Sequence, residues 1–187
     1  MATADEQLML AFGRGDVRAF ELLVRRWEDP LLNFIYRSVG NLERAKELRQ
    51  ETFLRVIKAR KRYRPTAKFS TWLYRIAVNL CRSEHRKRVR RGEAYTEDLG
   101  EGYAETRLAD SGPGPDKVAQ SREVIATVRR AISGLPDEQR EVVLLRQYHG
   151  LAFSEIAEII GCPVSTAKSR MYYAMNNLRR TLGGASD

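Results

Sequence analysis

Among 187 residues there are only two cysteines and two histidines, the side chains that most often cross-link a fold or hold a metal. Cys81 and Cys162 are too few for a disulfide framework, and reduced thiols are expected. A zinc site from Cys81, His85, His149 and Cys162 stays conceivable, because Cys81 and His85 lie one helical turn apart, but no second pair has matching close spacing. No stretch approaches the roughly 18 consecutive apolar residues that would span a bilayer. The N-terminal MATADEQLML is acidic and has no long apolar run, so no secretion signal is expected and the predicted location is the cytoplasm. Catalytic equipment is equally thin: there is no acidic cluster for a metal, no Gly-rich phosphate loop and no nucleophile beside a base. Glu84 and His85, adjacent in a basic segment, are the pair a hydrolase could use. The expectation is a protein that is not an enzyme and needs no cofactor or metal.

Negative charge is also in short supply, and unevenly so. The formal net charge is +9. Residues 1–91 carry 22 Lys/Arg against 10 Asp/Glu, residues 92–118 carry 2 against 7, and residues 119–187 carry 9 against 7. A basic first part favours a polyanionic partner. The acidic middle, GEAYTEDLGEGYAETRLADSGPGPDKV, breaks helical periodicity with glycines and prolines and predicts a flexible linker.

The flanking parts are helical in pattern. A short helix is predicted from Asp5 and a longer one after Asp16, in which Pro30 should kink or split the helix. Asn41 can cap a helix whose stripe is Ala45, Leu48, Thr52, Phe53, Val56 and Ile57. In the segment from Phe69 to Arg91, Ser70 is a suitable N-cap and Trp72, Leu73, Ile76, Ala77 and Leu80 recur at helical spacing. Arg75, Asn79, Arg82, Ser83 and Arg86 fall on another face, in a row of donors and positive charge that suits a phosphate backbone. Phe69, Trp72 and Tyr74 at the helix mouth offer rings for exposed bases. Trp72 suits core packing equally well, beside Leu73 and Ile76.

After the linker, helices are predicted from about Asp116 to Ser133 and from Asp137 to His149. A short helix capped by Ser154 follows, then a turn at Gly161, Cys162 and Pro163, then a final helix capped by Ser165. This is the pattern of a helix-turn-helix: Ala157 permits close approach, and Gly161 can take positive φ. Such a motif lays its second helix in the major groove, so Ser165, Thr166, Lys168, Ser169 and Arg170 would face base edges and phosphates. The predicted fold is all-α, with two small helical domains, residues 1–91 and 119–187, joined by an acidic linker over 92–118.

Several pieces occur together in one order: RQETFLRVIKA, KFSTWLYRIAVNLCRSEHRKR, a non-helical linker, LPDEQREVVLLRQYHGLAFSEIAEIIG, and VSTAKSRMYYAMNNLR. In this the chain resembles the small bacterial sigma factors of the extracytoplasmic-function group of the sigma-70 family, over nearly its whole length. The resemblance implies a factor that binds core RNA polymerase and directs it to promoters. It implies that Gln50, Glu51, Phe53, Leu54 and Arg55 dock on a coiled-coil of the polymerase's largest subunit, with Glu47 where the family often has aspartate. By the same likeness the loop from Arg62 to Lys68 and the helix start after it would trap an unstacked base of the opened -10 strand. Tyr63, Lys68, Phe69, Trp72, Arg75, Asn79, Arg82, Ser83 and Arg86 would line that strand, while Ser165, Thr166, Lys168, Ser169 and Arg170 would read the -35 duplex. Tyr172 and Tyr173 stand where many relatives have a more basic run. The resemblance also implies an anti-sigma partner and a linker that mimics a polyanion in the polymerase channel, though a plain solubilising linker has the same composition. A stand-alone repressor or activator is the other reading, but it would need a dimer seam or sensor domain that the sequence does not display.

Overall fold

The computed structural model describes residues 3–92 and 115–183. Among them all regular structure is helical: α1 (Asp5–Gly13), α2 (Val17–Val39), α3 (Leu42–Ala59), α4 (Phe69–Arg91), α5 (Pro115–Ser133), α6 (Asp137–Val143), α7 (Phe153–Ile160) and α8 (Val164–Gly183). A π-helical turn, Leu144–Tyr148, continues α6. The expected linker falls largely outside the described residues, and α5 already begins at Pro115.

The first four helices form one unit. Asp16 caps α2 by accepting from the Ala19 amide at 3.2 Å, and Asn41 caps α3 by accepting from the Arg44 amide at 2.8 Å. Between them Gly40 adopts φ 73° and closes α2 with its amide on the Tyr36 carbonyl. Of the kink or split expected at Pro30, the split does not occur: α2 runs unbroken through it. The residues after the proline, Leu31, Leu32, Phe34 and Ile35, are all buried, and that burial holds the helix together across the lost hydrogen bond. Leu22 of the same helix is exposed.

Helix α4 starts two residues earlier than Ser70 as its N-cap would dictate. Its N-cap position is Lys68, which makes no side-chain cap, and the Phe69 amide donates to Glu6 Oε1 at 2.6 Å. The cap is thus supplied from α1, 63 residues away in sequence. Asp5 beside it accepts from Trp27 Nε1 at 2.9 Å and from Arg26 Nη1 at 2.7 Å, which ties α1 to α2. Helix α4 is buried on a broad face that includes Phe69, Leu73, Tyr74, Ala77, Val78, Leu80 and Cys81. Ile76 and Trp72 are only half-buried.

The last four helices form the second unit. Helix α7 is capped from Ala152, whose amide donates to Glu155 Oε2 at 2.8 Å, and not by Ser154. Gly161 takes φ 73°, and the Gly161 and Cys162 amides both donate to the Ala157 carbonyl. Helix α8 begins at Val164, so Ser165 lies inside its first turn instead of capping it. Buried Ala157, Ala167 and Ala174 keep the helix-turn-helix closely packed.

The two units pack on each other. Tyr74 of α4 and His149, just after the π-helical turn, have ring centroids 4.8 Å apart, and Phe34 of α2 stacks edge-on against both. The Arg37 guanidinium lies 4.0 Å from the centroid of the Tyr148 ring. Helix α4 rests against α7.

Candidate nucleic-acid and polymerase-binding surfaces

Three surfaces stand out. The first is on α2 and α3. Burial of Ala45, Leu48, Thr52 and Val56 turns the opposite side of α3 outward, with Glu47, Gln50, Leu54 and Arg55 exposed and Glu51 and Phe53 half-buried. Phe20, Val24, Phe53, Leu54 and Ile57 line an apolar groove edged by Glu28, Arg49 and Gln50. Leu54 is 52% exposed, a large apolar side chain left without cover. Around it the charges are satisfied locally: Arg55 pairs with Glu51 at 2.7 Å, and Arg44 bridges Glu47 to the buried Glu84. An uncovered apolar strip with a charged rim is a protein-docking surface in its chemistry.

The second surface is the start of α4 and its outward face. Tyr63 and Trp72 lie with ring centroids 5.0 Å apart, and Phe69 packs against both at 6.4 and 5.9 Å. Phe69 is fully buried and Tyr63 nearly so, which differs from the expected open platform for bases. Only Trp72 of these three keeps partial exposure. Tyr74, also expected at the mouth, is buried against His149. The Tyr63 hydroxyl has no hydrogen-bond partner among the described residues, and burial, with Glu6 and Asp5 nearby, pushes its pKa up to about 12. Beside it lies a small cleft lined by Arg64, Thr66, Trp72 and Arg75, closed on one side by Glu158 of α7.

The cationic residues of this face are engaged rather than free. Lys68 Nζ sits 2.8 Å from Glu155 Oε1. Arg75 donates through Nε and Nη2 to the Glu158 carbonyl at 3.1 and 2.6 Å. Arg82 donates to both carboxylate oxygens of Glu141, at 2.7 and 2.6 Å, and reaches the Ile160 carbonyl at 3.3 Å. Arg86 donates to Ser83 Oγ at 3.1 Å, and Asn79 is exposed. Sequence reasoning brought the arginines together correctly on one face, but it missed Glu141, Glu155 and the α7 carbonyls that meet them. The cluster of glutamates in α6 and α7 was the available signal.

The remaining sequence candidates are placed elsewhere. Glu84 is buried on Arg44, while His85 pairs with Asp137 at 3.0 Å, so the two neighbours do not act on one point. Cys81 is buried, and desolvation raises its thiol pKa to about 12. His149 is held on Tyr74. Among the described residues no group of three or more His, Cys, Asp or Glu converges on a metal position.

The third surface is the first turns of α8. Ser165, Lys168 and Ser169 are exposed; Thr166 and Arg170 are half-buried. Ser169 Oγ donates to the Thr166 carbonyl at 3.0 Å, and Arg170 pairs with Glu138 of α6 at 2.7 Å. The αL turn at Gly161 sets this polar edge outward, as a helix entering the major groove requires. Tyr172 and Tyr173 continue it as exposed rings 5.6 Å apart.

Residues 23–91 match the family model for sigma-70 region 2, and residues 125–178 match that for sigma-70 region 4. The chain is 34% identical to the RNA polymerase sigma-H factor of Pseudomonas aeruginosa over 181 residues, covering 95% of this chain and 93% of that one. It is also 34% identical to the ECF RNA polymerase sigma factor SigW of Bacillus subtilis, covering 90% and 91%. In fold it resembles the sigma factor RpoE crystallised with the anti-sigma factor NepR from Bartonella quintana, with a TM-score of 0.70 and 23% identity over 88% of this chain and 96% of that one. The chain therefore belongs to the extracytoplasmic-function group of the sigma-70 family, the factors that direct transcription initiation from promoters.

Proposed function

We propose that the three surfaces divide the work of a sigma factor between the two helical units. Residues 1–91 bind core polymerase through the α3 face, with Leu54 and Phe53 as apolar anchors and Glu47, Gln50, Glu51 and Arg55 as the polar rim. The same unit holds the opened -10 strand through Lys68, Arg75, Asn79, Arg82, Ser83 and Arg86. Trp72 and the cleft between Tyr63 and Arg75 receive an unstacked base, with Phe69 supporting Trp72 from beneath. Residues 119–187 read the -35 duplex: Arg170 and Lys168 reach guanine edges or phosphates, and Ser165, Thr166 and Ser169 supply hydroxyls. The linker over 92–118 follows a basic channel of the polymerase as a polyanion.

The observation that carries this reading is the separation of the surfaces. The uncovered apolar strip at Leu54, the arginine row of α4 and the polar leading edge of α8 lie on different helices. Each has the chemistry of a different partner. The protein acts in the cytoplasm and catalyses no reaction of its own, since polymerase carries the chemistry. The solved relative bound to an anti-sigma factor supports a protein inhibitor as a further partner.

Variants at the three surfaces test the division, with core-polymerase binding and promoter-specific transcription read separately. Leu54→Glu should abolish binding to polymerase. Arg82→Ala should spare binding and lower open-complex formation, and Lys168→Ala should spare both on a promoter that does not depend on its -35 element. Equal loss of polymerase binding in all three would overturn the assignment.

A further inference from the structure

Charges taken out of water are normally paired. Arg44, Arg82 and Arg140 obey this, each meeting a carboxylate: Glu84, Glu141 and Asp137. Arg37 of α2 and Arg129 of α5 are half-buried too, yet neither meets a carboxylate among the described residues. Arg37 lies over the Tyr148 ring, and Arg129 Nε is buried with no hydrogen-bond partner among those residues. Both line one small crevice, set between the ends of α2 and α5 and Leu144 of the π-helical turn, with Gly40 and Ser133 in its wall. The crevice measures about 350 Å³ out to its mouth. Burial lowers the Arg37 pKa, and repulsion from Arg129 adds to that. Cations at helix C-termini often serve the last carbonyls, but here others do so. Arg88 donates to the Val39 carbonyl and Arg140 to the Ser133 carbonyl, both at 2.8 Å, while Gly40 and Gly134 amides take those of Tyr36 and Arg130. The positive charge of Arg37 and Arg129 is left over once the helix ends are served.

We propose that Arg37 and Arg129 form a binding site for a phosphate group, carried by inorganic phosphate or by the end of a small phosphate ester such as a nucleotide. Two guanidiniums grip such an oxyanion through their forked N–H donors, and its charge relieves their mutual repulsion. Walls on three sides suit one tetrahedral group and exclude a polynucleotide backbone, which would have to pass through. One arginine belongs to each helical unit, so a bound phosphate ties α2 to α5 and acts as an effector of the chain's stability. The crevice lies apart from the three surfaces described above, and the inference does not depend on their assignment.

The test uses the full chain in a phosphate-free buffer, with thermal melts in added sodium phosphate and in sodium chloride of equal ionic strength. At about ten times its Kd, phosphate should raise the wild-type Tm by roughly 3–6 °C over chloride. Arg129→Gln should lose most of that rise. Arg130→Gln, at the exposed neighbour on the same helix, has the same net charge and should keep it. Arg129→Lys should keep part, since it restores the charge without the fork. An equal rise in Arg129→Gln and Arg130→Gln would mean that phosphate binds the basic surface at large, and would overturn the proposal, as would no rise over chloride in wild type. Nuclear magnetic resonance of wild type alone gives a second reading that no variant's folding can spoil. Phosphate should shift the Gly40 and Ser133 amides, and shifts confined to other residues would equally overturn the site. Repeating that titration with ATP identifies the carrier. The same amides moving at lower concentration assign the site to a nucleotide's phosphates; movement only with inorganic phosphate assigns it to the free ion.

Discussion

The Tyr74 hydroxyl and Nδ1 of His149 lie 2.7 Å apart, joining α4 of the first unit to the segment that leads into the helix-turn-helix of the second. Burial, and then repulsion from Arg37, push the His149 pKa down to about 4. The groups facing it are Arg37 from α2 and Tyr74 from α4, the latter with its own pKa raised by burial. The packed state therefore accepts only the neutral ring.

A pH dependence follows. With the folded pKa below the ordinary value of 6.5, the unpacked chain takes up the proton first as pH falls. Stability is fully present above about pH 6.5 and is lost progressively towards about pH 4, by up to about 3 kcal/mol. Thermal melts between about pH 7 and pH 5 should fall more steeply for wild type than for His149→Gln, which has no proton to gain. Parallel curves would show that His149 is not held neutral by this contact.

The two thiols should differ sharply in reactivity. Cys81 is buried and its pKa is raised to about 12, chiefly by desolvation, whereas Cys162 sits half-buried at the turn before α8. Iodoacetamide at about pH 8 should modify Cys162 and spare Cys81 until the chain is denatured. Mass spectrometry of the labelled peptides reads this directly, and comparable labelling of both in the native protein would contradict the packing of α4.

Gly161 carries the turn of the helix-turn-helix at φ 73°, with open space where a Cβ would stand. Gly161→Ala therefore costs backbone strain and no clash, about 1 kcal/mol, and should lower Tm by roughly 2–4 °C. A loss of -35 recognition without any change in Tm would place the role of this residue elsewhere.

Gly13 is constrained differently. Its conformation is ordinary, but an added Cβ would lie 2.8 Å from the Arg60 carbonyl. Gly13→Ala must push α1 away from the end of α3, and because Glu6 of α1 caps α4, the start of α4 should loosen with it. Faster amide exchange at Phe69 in the variant checks this, against unchanged exchange if the two ends are independent.

What was legible in the sequence was local. Asp16 and Asn41 stand directly before the helices they cap, and the Gly161 turn is written in three adjacent residues. The stripe of α3 could be read from its spacing for the same reason. The misplaced features are those settled over a distance. Ser70 is a good cap by type, yet α4 takes its cap from Glu6, 63 residues away; the cap of α7 is the local exception, since Glu155 accepts from the Ala152 amide in place of Ser154. Pro30 breaks helices by its chemistry, and the burial of Leu31, Leu32 and Phe34 outweighs it. The arginine row of α4 was visible as a row, but the partners of Arg75 and Arg82 lie 59 to 83 residues away, beyond any spacing rule.

The most direct test of the account is transcription by purified bacterial core polymerase, with and without this protein, on a pool of promoter fragments from its own genome. The account predicts discrete start sites that appear only when the protein is added, with shared elements at the -10 and -35 positions, and their loss with Leu54→Glu. Duplex DNA binding by the protein alone, with no polymerase binding and no new start sites, would contradict it and leave a stand-alone DNA-binding regulator in its place.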